Sequence, residues 1–85
     1  MDYKKSNQLR LLGMIIAYYR KSRGMTQQAL ADAISISRTH MSNIEAPNVP
    51  TSISISTLLD IADVLDVPVE KFFQFQNFEQ LDKNS

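Results

Sequence analysis

Residues 26–45, TQQALADAISISRTHMSNIE, decide how this chain folds. Thr26 offers a capping hydroxyl to a short helix over Gln27 to Ala33, with Leu30 and Ala31 on its inward side. Ile34, Ser35 and Ile36 form a tight turn, and Ser37 caps a second helix that Pro47 stops near Ala46. Two helices this short, joined by so few residues, cannot fold back as an antiparallel hairpin, so they cross steeply. Such a crossing needs a small residue where the backbones approach, and Ala31 fills that place. Leu30, Ala31, Ile34, Ile36, Met41 and Ile44 then form one apolar side. Arg38, Thr39, His40, Ser42 and Asn43 point the other way, and all of them can hydrogen-bond. An ordinary solvated helix face has the same composition, so this face decides nothing by itself.

Working outward, Leu9, Leu12, Ile16 and Tyr19 recur at spacings of three and four, which predicts an amphipathic helix from about Ser6 to Arg23. Gly13 lies inside that pattern. Lys21 and Arg23 suit the negative end of the helix dipole, and Gly24 is placed to end it. Beyond the central unit, PNVPTSISIS reads as a loop, because one short alternating segment has no strand to pair with. Ile53 or Ile55 would tuck into the core. Ser54 or Ser56 caps a fourth helix with Leu58, Ile61, Ala62 and Leu65 inward, and Pro68 suits the first turn of a fifth carrying Phe72 and Phe73. Phe75, Phe78 and Leu81 continue at a spacing of three before the chain turns polar. The expectation is an all-α fold of five helices in a single domain spanning residues 1–85, with a core at 6–74 and a tail at 75–85.

Composition removes most chemistry. Eighty-five residues, 44% of them hydrophobic, allow one small core. The absence of cysteine excludes disulfides, thiolate catalysis and thiolate metal sites. His40 is the only histidine and has no acidic neighbour at ligand spacing in its helix, so no metal and no cofactor are expected. No serine sits in a glycine elbow, and capping and turn chemistry account for the serine-rich stretch, so an enzyme is not expected. No apolar run approaches the roughly 18 residues that span a bilayer, and MDYKKSNQ leads into no secretory signal. A cytoplasmic location is the expectation. The net charge is zero, yet residues 1–44 hold seven Lys and Arg against two Asp and Glu, a net +5. Residues 45–85 hold two against seven, a net −5, so the half with the central unit forms a basic pole.

Arg20, Gly24, Met25, Thr26 and Gln27, then Leu30, Ala31 and Asp32, then Ile36 and Ser37, and finally Met41, Ser42, Ile44 and Glu45 make an ordered string. Thr57, Leu58, Ile61 and Ala62 follow, and Leu65, Val67, Pro68, Phe72 and Phe73 close it. This string resembles the phage repressor and Cro-type helix-turn-helix transcriptional regulators, the XRE family, over roughly residues 12–73. The resemblance implies a lambda-repressor-like fold that binds double-stranded DNA. It places Gln27 and Gln28 near phosphates at a helix N-terminus. Arg38, Thr39 and Asn43 would reach base edges, Arg suiting guanine and Asn adenine, and Ser37, His40 and Ser42 would serve phosphate or water. Arg20 and Glu45 correspond to a structural ion pair.

Three departures stand out. Ser35 occupies the turn position where the family usually has glycine, and a left-handed backbone there would cost serine about 1 kcal/mol. Pro47 replaces the glycine that commonly follows the recognition helix, so the chain must leave extended. The following loop is two residues longer than usual. A lone module of this size makes few base contacts, so a homodimer on a palindromic site is expected; Phe75, Phe78 and Leu81 form either its seam or ordinary packing back onto helices one and five. The alternative is a protein-interaction module that keeps the fold without reading DNA. No membrane partner and no small-molecule ligand are expected.

Overall fold

The computed structural model describes residues 3–78. Four α-helices, α1 (Tyr3–Ser22), α2 (Gln27–Ala33), α3 (Arg38–Glu45) and α4 (Ile55–Leu65), are followed by a 3-10 helix, Val69–Phe73. Residues 75–78 are again helical, and no strand occurs among the described residues. The fold is all-α. Helix α1 starts three residues ahead of the expected Ser6. The expected fifth helix is of the tighter 3-10 form, with Pro68 just ahead of it as its N-cap. Of the two candidate caps for α4, Ser54 is used: its hydroxyl accepts from the Thr57 amide at 3.0 Å. That leaves Ile53 half-buried against the core and Ile55 exposed.

The core gathers one face from every helix. Leu12, Ile15 and Ile16 of α1 meet Leu30 and Ala31 of α2, Met41 and Ile44 of α3, Leu58, Ile61 and Leu65 of α4, and Phe72. The buried stripe on α1 is wider than its periodicity suggested, taking in Leu11 and Ile15, while Leu9 and Tyr19 are half-buried. The reason is position. α1 is covered by α3, by α4 and by the 3-10 helix, so it buries more than one narrow face.

Three turns share one device. After α1, Gly24 is left-handed, and the Gly24 and Met25 amides donate back to the Lys21 and Arg20 carbonyls at 2.9 and 3.1 Å. After α2, Ser35 takes φ +60°, with the Ser35 and Ile36 amides donating to Asp32 and Ala31 at 3.3 and 3.0 Å. After α4, Asp66 takes φ +55°, with Asp66 and Val67 donating to Asp63 and Ala62 at 3.2 and 3.0 Å. These are Schellman closures, which satisfy end carbonyls and turn the next apolar residue inward. Met25, Ile36 and Val67 are those residues. Helix α3 ends differently. Ala46 is extended at φ −71°, ψ 126°, because a following proline disfavours helical geometry in the residue before it.

Two constraints set how α3 sits on the body. At Gly13 a Cβ would lie 2.1 Å from the Ile44 carbonyl oxygen, so the α1 and α3 backbones touch there. About two turns further along α1, Arg20 meets Glu45 at the end of α3. Nε and Nη2 of Arg20 donate to the two carboxylate oxygens at 2.7 and 2.8 Å, and Nη1 donates to the Met25 carbonyl at 2.7 Å. Both side chains are nearly buried. Hydrogen bonding to Glu45 raises the Arg20 pKa above its already high ordinary value; burial opposes this and charge attraction supports it. A raised basic pKa means the stabilisation is complete below the unfolded value and fades only as pH rises through the folded one. On the arginine side the pair is therefore indifferent to pH across the neutral range.

Three stability measurements follow from this architecture. Gly13→Ala would stabilise an open helix by about 1 kcal/mol. Here the methyl must push α1 off α3, and a loss of about 2 kcal/mol is expected in urea unfolding. An unchanged midpoint would mean the helices are not in contact. Ser35→Gly relieves a left-handed serine and should add about 0.5–1 kcal/mol, read as a higher melting temperature. Arg20→Met leaves the Glu45 carboxylate buried without its cation and should cost about 3 kcal/mol or more; a loss below 1 kcal/mol, roughly that of a surface pair, would show the site to be solvated.

Candidate nucleic-acid interface

Helix α3 begins at a firm cap: the Ser37 hydroxyl accepts from the His40 amide at 3.0 Å. Thr26 does the same for α2, accepting from Ala29 at 3.0 Å. With its start held by Ser37, its end by Glu45, and Met41 and Ile44 buried, α3 has a fixed rotation about its own axis. Arg38, Thr39 and Asn43 are consequently exposed, and His40 and Ser42 half-exposed. Among the described residues no side chain of these five has a hydrogen-bond or ion-pair partner. A row of unpaired donors and acceptors on a rigid helix suits a partner whose own groups are polar and fixed in space.

The two glutamines are differently placed. Gln27 is half-buried, and its side-chain amide donates to Glu45 at 2.9 Å, so it joins the Arg20–Glu45 pair. Gln28 is exposed and donates to Asp32 one turn on at 2.8 Å. Each keeps one further side-chain N–H for an anion. The expected site residues thus form a continuous α3 face with the start of α2 beside it, and Gln27 is anchored from within.

Arg10, Arg20 and Arg23, three of the seven basic residues of the N-terminal half, make contacts within the protein. Arg20 is neutralised by Glu45. Arg23 reaches across to α4, donating to the Leu65 and Asp66 carbonyls at 2.7 and 3.3 Å. Arg10 donates to Asn7 at 3.0 Å and lies 3.2 Å from the Met14 sulfur. Arg38 is the basic residue that α3 itself carries. The sequence places Arg23 at its own helix end, and nothing local marks it as the cap of a helix 42 residues away.

Thr51, which no sequence motif marks, bonds to the end of α3. Its hydroxyl lies 3.1 Å from the Asn43 carbonyl and 3.0 Å from that of Val49. Phe75 and Phe78 are half-buried against the chain's own core, Phe78 edge-on to Tyr18 at 5.3 Å and Phe75 to Phe73 at 6.1 Å between ring centres. Leu81 lies outside the described residues. Among the described residues no group of His, Asp and Glu is arranged to hold a metal, and no helix is long and apolar enough to cross a membrane.

The comparisons agree with this geometry. The helix-turn-helix family profile matches residues 16–72. The master regulator for biofilm formation SinR, solved in complex with DNA, is 33% identical, with a TM-score of 0.67; the match covers 74% of this chain and 98% of SinR. The restriction-modification controller protein C.AhdI from Aeromonas hydrophila is 23% identical with a TM-score of 0.69, covering 76% of this chain and 96% of its own, and shares the fold. No curated protein sequence matches at a significant level. The profile match over most of the chain, together with the Arg20–Glu45 junction and the capped α3 it supports, places this protein in the XRE-type helix-turn-helix family of transcriptional regulators.

Proposed function

We propose that this regulator binds double-stranded DNA sequence-specifically by inserting α3 into the major groove, and that it acts in the cytoplasm as a homodimer on a palindromic operator. The observation that carries this reading is the unpartnered polar face of α3, held outward by a cap at one end and a buried ion pair at the other. Arg38 and Asn43 read bases: Arg has the fork that matches guanine O6 and N7, and Asn matches adenine N6 and N7. Thr39 sits between them on the same exposed face, within reach of a base edge or a thymine methyl. Ser37, His40 and Ser42 contact phosphate or bridging water. Gln27 and Gln28 hold a phosphate with the start of α2, where the amides of its first turn lack helical partners. SinR, 33% identical, is solved in complex with DNA, which supports DNA as the partner here.

The dimer follows from arithmetic. One eight-residue helix with a single arginine makes few contacts, and two copies one DNA turn apart, about 34 Å, double them and impose palindromy. The exposed Phe73 and Tyr18 flank Phe75 and Phe78, so the tail end of the domain offers an apolar seam to which Leu81 would add.

Titrating a selected palindrome and a random duplex against salt tests the whole reading. Binding should fall steeply with salt on both, and the palindrome should be preferred. Arg38→Ala and Asn43→Ala should each remove about 1–3 kcal/mol of that preference while leaving the melting temperature unchanged. Indifference to sequence and to salt would favour the protein-interaction module instead. Sedimentation at the binding concentrations should report two protomers per palindrome.

A further inference from the structure

Of helices α1 to α4, three leave their last turn through a left-handed residue, and the exception is the helix with the polar face. Gly24, Ser35 and Asp66 close α1, α2 and α4. At the end of α3 the extended Ala46 sits ahead of Pro47, and its amide returns to the Asn43 carbonyl at a long 3.3 Å. The missing second bond comes from outside the helix. The Thr51 hydroxyl reaches the same Asn43 carbonyl at 3.1 Å and the Val49 carbonyl at 3.0 Å, sharing its single hydrogen between the α3 end and the loop. That loop runs from Pro47 to Pro50, and a bond from the Val49 amide to the Ala46 carbonyl at 3.4 Å closes it. Two prolines limit its freedom, so one hydroxyl is enough to tie it down.

We infer that Thr51 is a positioning residue for DNA reading: it replaces the cap that Pro47 denies α3 and fixes the backbone that carries Asn43. The inference rests on the assignment of Asn43 as a base reader. Thr51 acts by keeping the last turn of α3 from fraying, so that the Asn43 amide presents both of its groups to one base at once. Bidentate pairing tolerates little displacement, which is why a distant hydroxyl has leverage on specificity.

The full chain tests this with four variants, Thr51→Val, Thr51→Ser, Asn43→Ala and the double Thr51→Val/Asn43→Ala. Each is titrated on the selected palindrome, on single base-pair variants of it, and on random duplex. Thr51→Val keeps the shape and removes the hydroxyl. It should weaken palindrome binding about fivefold, the scale of one hydrogen bond, with random-duplex affinity and salt slope unchanged. The loss should fall at the base pair where Asn43→Ala relaxes preference. Thr51→Ser should restore wild-type binding, and the double variant should bind like Asn43→Ala alone. The inference is overturned if Thr51→Val reads the palindrome normally while Asn43→Ala does not. It is equally overturned if Thr51→Val loses both duplexes alike or melts well below the wild type, which would make the role structural. A silent Asn43→Ala removes the base-reading assignment and this inference with it.

Discussion

A carboxylate and a guanidinium shut away from water hold the end of the recognition helix. Hydrophobic burial draws α1, α2 and α3 together but has no preferred direction. The bidentate bond between Arg20 and Glu45 has one. It meets two oxygens with two nitrogens, and the third arm of the guanidinium grips the Met25 carbonyl in the turn between α1 and α2. Gln27 adds a bond from the start of α2. A buried ion pair adds little net stability compared with an apolar filling of the same space. Its contribution here is orientation: three helix ends meet at one carboxylate, and the rotation of α3 is set there.

Gly13 works with that junction. With no side chain between them, the backbones of α1 and α3 come into direct contact at Ile44, one residue from Glu45. Close approach and ion pair therefore act on adjacent residues of the same helix turn. Met41 and Ile44 are pressed inward by the first, and Glu45 is tethered by the second. The polar residues face outward because no other rotation satisfies both. Presentation of the α3 face is thus a by-product of satisfying a buried charge.

The electrostatics reward attention to where each cation ends up. A half-chain excess of +5 suggests a broad basic surface, yet Arg20 is neutralised by a buried carboxylate and the exposed Arg23 is engaged by carbonyls at the end of α4. What remains for a polyanion is sparser, and the two glutamine amides and the backbone at the start of α2 gain weight accordingly. A chain of zero net charge gains little long-range steering toward DNA. On the reading proposed above, its discrimination then depends on short-range hydrogen bonding by Arg38 and Asn43, and so on how firmly their helix is held.

The helices, their caps at Thr26 and Ser37, and the inward set from Leu30 to Ile44 were legible in the sequence, because periodicity and capping are local properties of a few consecutive residues. The outward row on α3 followed by subtraction, and the ordered string from Arg20 to Phe73 gave the family. Other features were not legible. Which of Ser54 and Ser56 caps α4 depended on whether Ile53 or Ile55 could reach the core. Gly13 shows in the sequence only as a glycine inside a helical pattern, although it is the contact point of two helices, because its partner is a carbonyl thirty-one residues on. Arg23 and Thr51 look like ordinary surface residues until the chain brings them to helix ends that need donors. Sequence alone determined which segments are helical and which faces are apolar. Tertiary structure decided which polar groups are used up inside and which are left to meet DNA, since hydrogen bonds across long sequence separations are settled by approach in space and leave no periodic trace.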